Sequence, residues 1–146
     1  LVAKAGAVLS VARGPEGQAA VGTKQGLFLS DKAGTRQVFP RHGHKSWAPT
    51  NVTVSYDGLG RLWFASYQGA GCYEKSEWTL YTGAEGLPYD DMTAVAGGAD
   101  GTVWFGTAIG AIRFDGSAWS YRQGKRWLPS DEVRDIAVDA GGNAWV

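Results

Sequence analysis

The apolar positions of this chain come in short bursts, each broken by Gly, Asp, Asn or Pro. No stretch holds the 3.6-residue spacing of an amphipathic helix long enough to compete, so the pattern predicts β-strands joined by tight turns. Around the third burst of Trp and Phe, strands are expected over Met92 to Ala96, Thr102 to Thr107, Ala111 to Phe114 and Ala118 to Arg122. Asp100-Gly101, Gly110 and Asp115-Gly116 punctuate them with residue types that tolerate the positive φ of hairpin turns. Such a unit is an antiparallel meander of four strands.

The unit repeats. Trp63, Trp104 and Trp145 fall 41 residues apart, in Leu59-Gly60-Arg61-Leu62-Trp63-Phe64-Ala65-Ser66, Asp100-Gly101-Thr102-Val103-Trp104-Phe105-Gly106-Thr107 and Gly141-Gly142-Asn143-Ala144-Trp145-Val146. An earlier copy, Glu16-Gly17-Gln18-Ala19-Ala20-Val21-Gly22-Thr23, keeps the glycine and the Gly-Thr ending but has Ala20 in the Trp position. Gly26, Gly69 and Gly110 each follow that position by six residues, and Trp78 and Trp119 follow it by 15. Leu87-Pro88-Tyr89-Asp90-Asp91-Met92 matches Leu128-Pro129-Ser130-Asp131-Glu132-Val133 at the same offset.

One meander of this size leaves apolar faces on both sides, so neighbouring copies must cover them. Radial packing of the sheets does this and limits exposed edges; a β-helix has shorter repeats without these hairpins. The expected fold class is therefore all-β, a β-propeller of four-stranded antiparallel blades. The blades are expected at about 8–39, 52–81 and 92–122, with a half blade of two strands, 133–139 and 143–146. Rings usually close with about 4 to 8 blades, so three and a half imply more, most simply a seven-bladed ring. The remainder comes from the same longer chain or from a second copy. A start at Leu1 and a stop inside the apolar run Trp145-Val146 favour the longer chain.

Composition narrows the chemistry. The 14 basic and 14 acidic side chains cancel, which leaves no basic excess for phosphate neutralisation and argues against a nucleic-acid partner. No apolar run is long enough to enter a membrane as a helix. Cys72 stands alone, so neither an intrachain disulfide nor a multi-cysteine zinc site can form. No hydrolase elbow, phosphate loop, dinucleotide fingerprint or zinc-protease motif is present, so no catalytic residue, metal or cofactor is assigned.

The run Leu128 to Val146, with Trp104-Phe105-Gly106-Thr107, Gly110 and Arg113-Phe114-Asp115-Gly116, resembles the two-component regulator propeller repeat. Gly97-Gly98 departs from it, standing where that family often has a charged residue. The resemblance implies a blade of the bacterial sensor type on the outside of the cytoplasmic membrane: periplasmic, secreted or at the cell surface. It implies nothing about ligand, since such propellers perform many roles.

Positions that recur in every copy serve packing and turning, so the informative ones are those that differ, on the connectors between blades. The connector Arg41 to Asn51 holds Arg41, His42, His44 and Trp47, a set able to recognise an anionic sugar by charge-assisted hydrogen bonds and ring stacking. The plainer alternative is a solvated loop anchored by Trp47. His42 and His44 share a face if extended, which would suit two metal ligands, but no third ligand is evident. Tyr67 and Gln68 occupy a hairpin that can face a ligand, and Tyr89, Arg126 and Trp127 stand on the other two connectors. The pairs Asp90-Asp91 and Asp131-Glu132 recur, which favours satisfaction of backbone donors over catalysis.

These features predict a non-catalytic module that recognises a glycan or protein partner. The competing expectations are a polysaccharide or streptogramin lyase-like enzyme using Arg41, His42 and His44, and a purely structural assembly ring.

Overall fold

The computed structural model describes residues 6–42 and 45–146. Three meanders dominate it. The first is β1 (Val8–Arg13), β2 (Ala19–Thr23), β3 (Gly26–Asp31) and β4 (Gly34–Val38). A short hairpin follows, β5 (Arg41–His42) with β6 (Lys45–Ser46). The second meander is β7 (Thr53–Tyr56), β8 (Leu62–Ser66), β9 (Gly69–Glu74) and β10 (Glu77–Tyr81). The third is β11 (Met92–Gly97), β12 (Val103–Thr107), β13 (Gly110–Phe114) and β14 (Trp119–Arg122), and the chain ends on β15 (Ala137–Val138) paired with β16 (Ala144–Trp145). Each four-stranded sheet runs in sequence order with antiparallel pairing. The all-β blades predicted by the repeat are present. Two details differ: the last pair of strands is shorter than expected, and the first connector folds back as the β5–β6 hairpin.

Strand alternation explains why every residue of β8 is buried. Leu62 and Phe64 face the first meander and join Leu27, Val52 and Val54, whereas Trp63 and Ala65 face the third and join Phe105, Ile112 and Phe114. The second interface is built of rings: Trp63, Tyr81, Phe105, Phe114 and Trp119 pack with centroids 4.5 to 6.0 Å apart. The second meander thus buries both faces only because it has a neighbour on either side.

The first strands of successive meanders lie against each other and are stitched by hydroxyl groups. Ser10 Oγ accepts from the Val54 amide at 2.8 Å, Ser55 Oγ accepts from the Gly97 amide at 3.0 Å, and Thr93 Oγ1 donates to the Val133 carbonyl at 2.6 Å. Gly22 permits one such approach, since a Cβ there would lie 2.2 Å from the Val52 carbonyl oxygen.

A buried carboxylate locks the turn into β8. Asp57 Oδ1 accepts from the amides of Leu59 and Arg61, both at 3.0 Å; Oδ2 accepts from Arg61 Nε at 2.7 Å and from Trp63 Nε1 at 2.8 Å. Asp139 does the same before β16, reaching the Gly141 and Asn143 amides and Trp145 Nε1. In the third meander the equivalent residue is Gly98, and Trp104 Nε1 is buried with no partner. Asp100 takes over the turn, accepting from the Thr102 amide at 3.0 Å, but does not bond the indole.

Candidate functional site

The antiparallel order sends every β2–β3 type hairpin and every inter-blade connector to one end of the sheets. The register shows it: Thr23 pairs with Gly26 at the hairpin, and Leu27, next to it, pairs with Val38 at the start of the connector. These hairpins are rigid. Thr23, Ser66 and Thr107 are fully buried, and each side-chain oxygen donates to the carbonyl of the hairpin glycine and accepts from the amide two residues on. Gly110 sits at φ +154 with no room for a side chain, since a Cβ would meet the Arg122 carbonyl oxygen at 2.5 Å.

On this end Gln68 binds the first connector, with Oε1 accepting from the Ala48 amide at 3.2 Å and Nε2 donating to the Ser46 carbonyl at 3.5 Å. Arg41 and Lys45 are exposed on that connector, and Tyr67 is 50% exposed on the hairpin beside it. His42 lies in β5, and His44 lies outside the described residues. Trp47 is only 7% exposed and packs into the core with Leu27, Val52 and Leu80, so its ring anchors the connector and has no free face for a ligand. Leu87 and Leu128 are buried in the other two connectors.

Tyr89 is half-buried against the ring cluster of the second interface. Arg126 and Trp127 come together with Arg122, whose guanidinium lies 4.8 Å from the Trp127 centroid, while that of Arg126 lies at 5.4 Å. Of the acid pairs, Asp131 Oδ1 accepts from the Gly124 amide at 2.6 Å and Glu132 pairs with Arg134 at 3.1 Å, both structural uses. That ion pair holds the Glu132 carboxyl below the usual range. Among the described residues no group of three His, Cys, Asp or Glu side chains could hold a metal ion.

Neither the protein-family models nor the curated proteins include a match to this chain. Solved structures do match. The extracellular domain of the hybrid two component system BT4673 from B. thetaiotaomicron aligns over 100% of the chain and 20% of its own length, with TM-score 0.74 and 22% identity. That of BT3049 from the same organism covers 94% and 20%, with TM-score 0.70 and 23% identity. Virginiamycin B lyase from Staphylococcus aureus covers 90% of the chain and 45% of the lyase, with TM-score 0.67 and 16% identity. The chain has a β-propeller fold. It spans one-fifth of the two extracellular domains and under half of the lyase.

In propeller terms, the described candidate residues lie on the connectors and β2–β3 type hairpins of one face. Arg122 was not singled out in the sequence because it ends a strand; the signal was its nearness to the only connector with consecutive Lys, Arg and Trp. Cys72 is buried at 5% because its strand position faces the next blade, and burial pushes its thiol up to about 12. The opposite face carries a cleft of about 370 Å³ between the first two blades, walled by Tyr56 and Tyr73 and rimmed by the Asp31–Arg36 ion pair at 2.7 Å.

Proposed function

We propose that this propeller is a non-catalytic recognition module of an extracytoplasmic sensor-type protein, part of a seven-bladed ring completed by the same longer chain. In this reading the connector face receives a glycan or protein ligand, and the first connector, with Arg41, His42, His44, Tyr67 and Gln68, is a glycan subsite. The supporting observation is the contrast between conforming blades and differing connectors: the same hydroxyl and glycine devices hold each hairpin, while the exposed side chains they carry change from blade to blade. Extracytoplasmic placement is supported by the likeness to two extracellular domains.

Calorimetric titration of the full chain with a panel of neutral and uronate oligosaccharides tests the glycan subsite. Tyr67→Ala and Arg41→Ala are each expected to weaken the best ligand roughly tenfold, about 1.4 kcal/mol. Equal affinity of parent and both variants for every sugar would sink the reading.

One observation favours a second reading, the likeness to a lyase propeller over most of the chain. There His42 or His44 would take a proton while Arg41 balances a carboxylate. Uronate cleavage lost on changing both histidines to Ala supports it; cleavage absent from the parent removes it.

A further inference from the structure

The cleft on the face opposite the connectors lies between the first two blades, both of which have all four strands, so both of its walls are in place. It follows from a matched set of replacements between blades. In the second blade Asp57 holds Arg61 and Trp63 together; the Arg61 guanidinium lies 5.3 Å from the Trp63 centroid and donates to the Gly101 carbonyl of the third blade at 2.8 Å. That bridge occupies the gap between the second and third blades. In the first blade the same three positions are Gly14, Gln18 and Ala20, and Gln18 lines an open cleft of about 370 Å³. The register confirms the equivalence, since Ala19 pairs with Ser30 as Leu62 pairs with Tyr73.

The facing wall has changed in step. Tyr56 and Tyr73 stand where the third blade has Gly97 and Phe114. Gly14 makes room for the first of them, because a Cβ there would lie 2.4 Å from Tyr56 Cζ. One interface on, the exchange is reversed: Gly97 makes room for Asp57, whose Cα would lie 2.6 Å from an added Cβ. Burial, with the Tyr73 phenol beside it, pushes the Tyr56 hydroxyl up, so it stays neutral and can both donate and accept. Among the described residues neither tyrosine hydroxyl has a hydrogen-bond partner within the chain. Leu29 and Leu62 supply the apolar part of the lining.

The charges around the cleft are already matched. Arg36 pairs with Asp31 and Arg61 with Asp57, both at 2.7 Å, and the exposed Glu74 and Lys75 are of opposite sign. A charged ligand would have to compete with a formed ion pair. A neutral hydroxylated ring would not, because paired guanidinium and carboxylate groups keep spare N–H donors and lone pairs, and its C–H face can lie on a phenol ring. The volume falls in the range of about 300–1,000 Å³ found for small-molecule sites. We propose that this cleft binds a neutral sugar ring between Tyr56, Tyr73 and the Asp31–Arg36 pair. The site stands on the opposite face from the connectors and does not depend on their role.

Titration of the isotope-labelled full chain with cellotriose, maltotriose and a galacturonate trimer, followed by amide chemical shifts, tests it. A neutral trisaccharide should shift the Tyr56 and Tyr73 amides and bind more tightly than the galacturonate. Tyr56→Phe and Tyr73→Phe keep the rings, and each should weaken binding roughly threefold to tenfold by removing a hydroxyl. Gln18→Arg, at an exposed side chain, should reach the Gly60 carbonyl as Arg61 reaches that of Gly101, fill the cleft and abolish binding, with a Tm no lower than the parent's. Absence of binding by both neutral sugars, or binding indifferent to all three variants, overturns the proposal. Tighter binding of the galacturonate overturns the neutral class. Shifts confined to Tyr67, Gln68 and the first connector overturn the location, so the cleft and the connector subsite fail or succeed separately.

Discussion

Asp57 offers the sharpest check on how the blades are held. Its side chain is fully buried, and its two oxygens satisfy two backbone amides, the Trp63 indole and the Arg61 guanidinium, which also donates to the Gly101 carbonyl of the next blade. Asp57→Ala leaves the fully buried Trp63 with an orphaned N–H, worth about 1–3 kcal/mol, and removes the carboxylate from a mostly buried ion pair, a class of change that costs about 3–5 kcal/mol in all. These losses overlap, and Arg61 keeps its bond to Gly101, so a total of about 3–5 kcal/mol is expected. Urea unfolding followed by Trp fluorescence measures it, with the slope unchanged so that the midpoint carries the effect. Asp57→Asn, which keeps an acceptor oxygen but not the charge, should fall between parent and Ala. Asp139→Ala removes the same pattern of bonds from a place where Trp145 is 67% exposed, and should cost far less. Equal losses at Asp57 and Asp139, or a loss below about 1 kcal/mol at Asp57, would refute the argument that burial gives this carboxylate its weight.

Three further outcomes are expected. Gly98→Asp alone should destabilise, because its Cβ lies 2.8 Å from both Asp100 Oδ1 and Thr102 Oγ1; adding Asp100→Leu should recover stability by freeing that space and giving Trp104 Nε1 an acceptor, and a melt showing no recovery would count against it. Cys72, with its thiol pushed up to about 12 by burial, should resist a disulfide reagent at pH 8 until denaturant is added, whereas rapid labelling of the folded chain would show the site to be open. The carboxyls of Asp31, Asp100, Asp115 and Asp139 are held below the usual aspartate range, chiefly by hydrogen bonds from Arg36, Thr102, the Ala118 amide and Asn143 respectively. A depressed folded value stabilises above the unfolded value of about 3.9 and is lost as pH falls through the folded one, so Tm should hold above roughly pH 5 and drop below roughly pH 4. A Tm that rises on acidification would contradict the sign.

The blades were legible because their causes are local and repeated. Trp63, the Gly69 and Gly110 turns and the Asp-Gly turn at residue 100 each state a strand or a hairpin within a few residues, and the 41-residue offset states that the units stack. Trp47 was ambiguous for the opposite reason. Its burial depends on the Val52 and Leu80 side chains meeting it from the next blade, which no local pattern records. The Asp57 network was half visible: Asp57 and Asp139 each stand six residues before a Trp, yet only the fold shows that carboxylate and indole meet. The fixing of Gln68 onto the first connector and of Arg122 over Trp127 are side-chain choices made across blade ends, and neither follows from spacing.

The same comparison separates what the propeller needs from what it can spare. Each connector sinks one apolar side chain into a blade interface, Trp47, Leu87 or Leu128, and those positions tolerate only another large apolar group. The tips between these anchors and the preceding outer strand carry no such duty. In the second connector the tip is a short turn closed by Thr82 and Glu85, with Thr82 Oγ1 accepting from the Ala84 amide and Glu85 accepting from the Thr82 amide. In the third it displays cations over an indole, and in the first it extends into a two-stranded hairpin. A chain that spent its sequence only on holding a ring together would have no reason to elaborate two of three tips with exposed Arg, Lys and aromatic side chains while leaving the other compact. Under the proposed recognition role, selectivity would belong to these tip residues, whose replacement should alter binding while leaving Tm nearly unchanged.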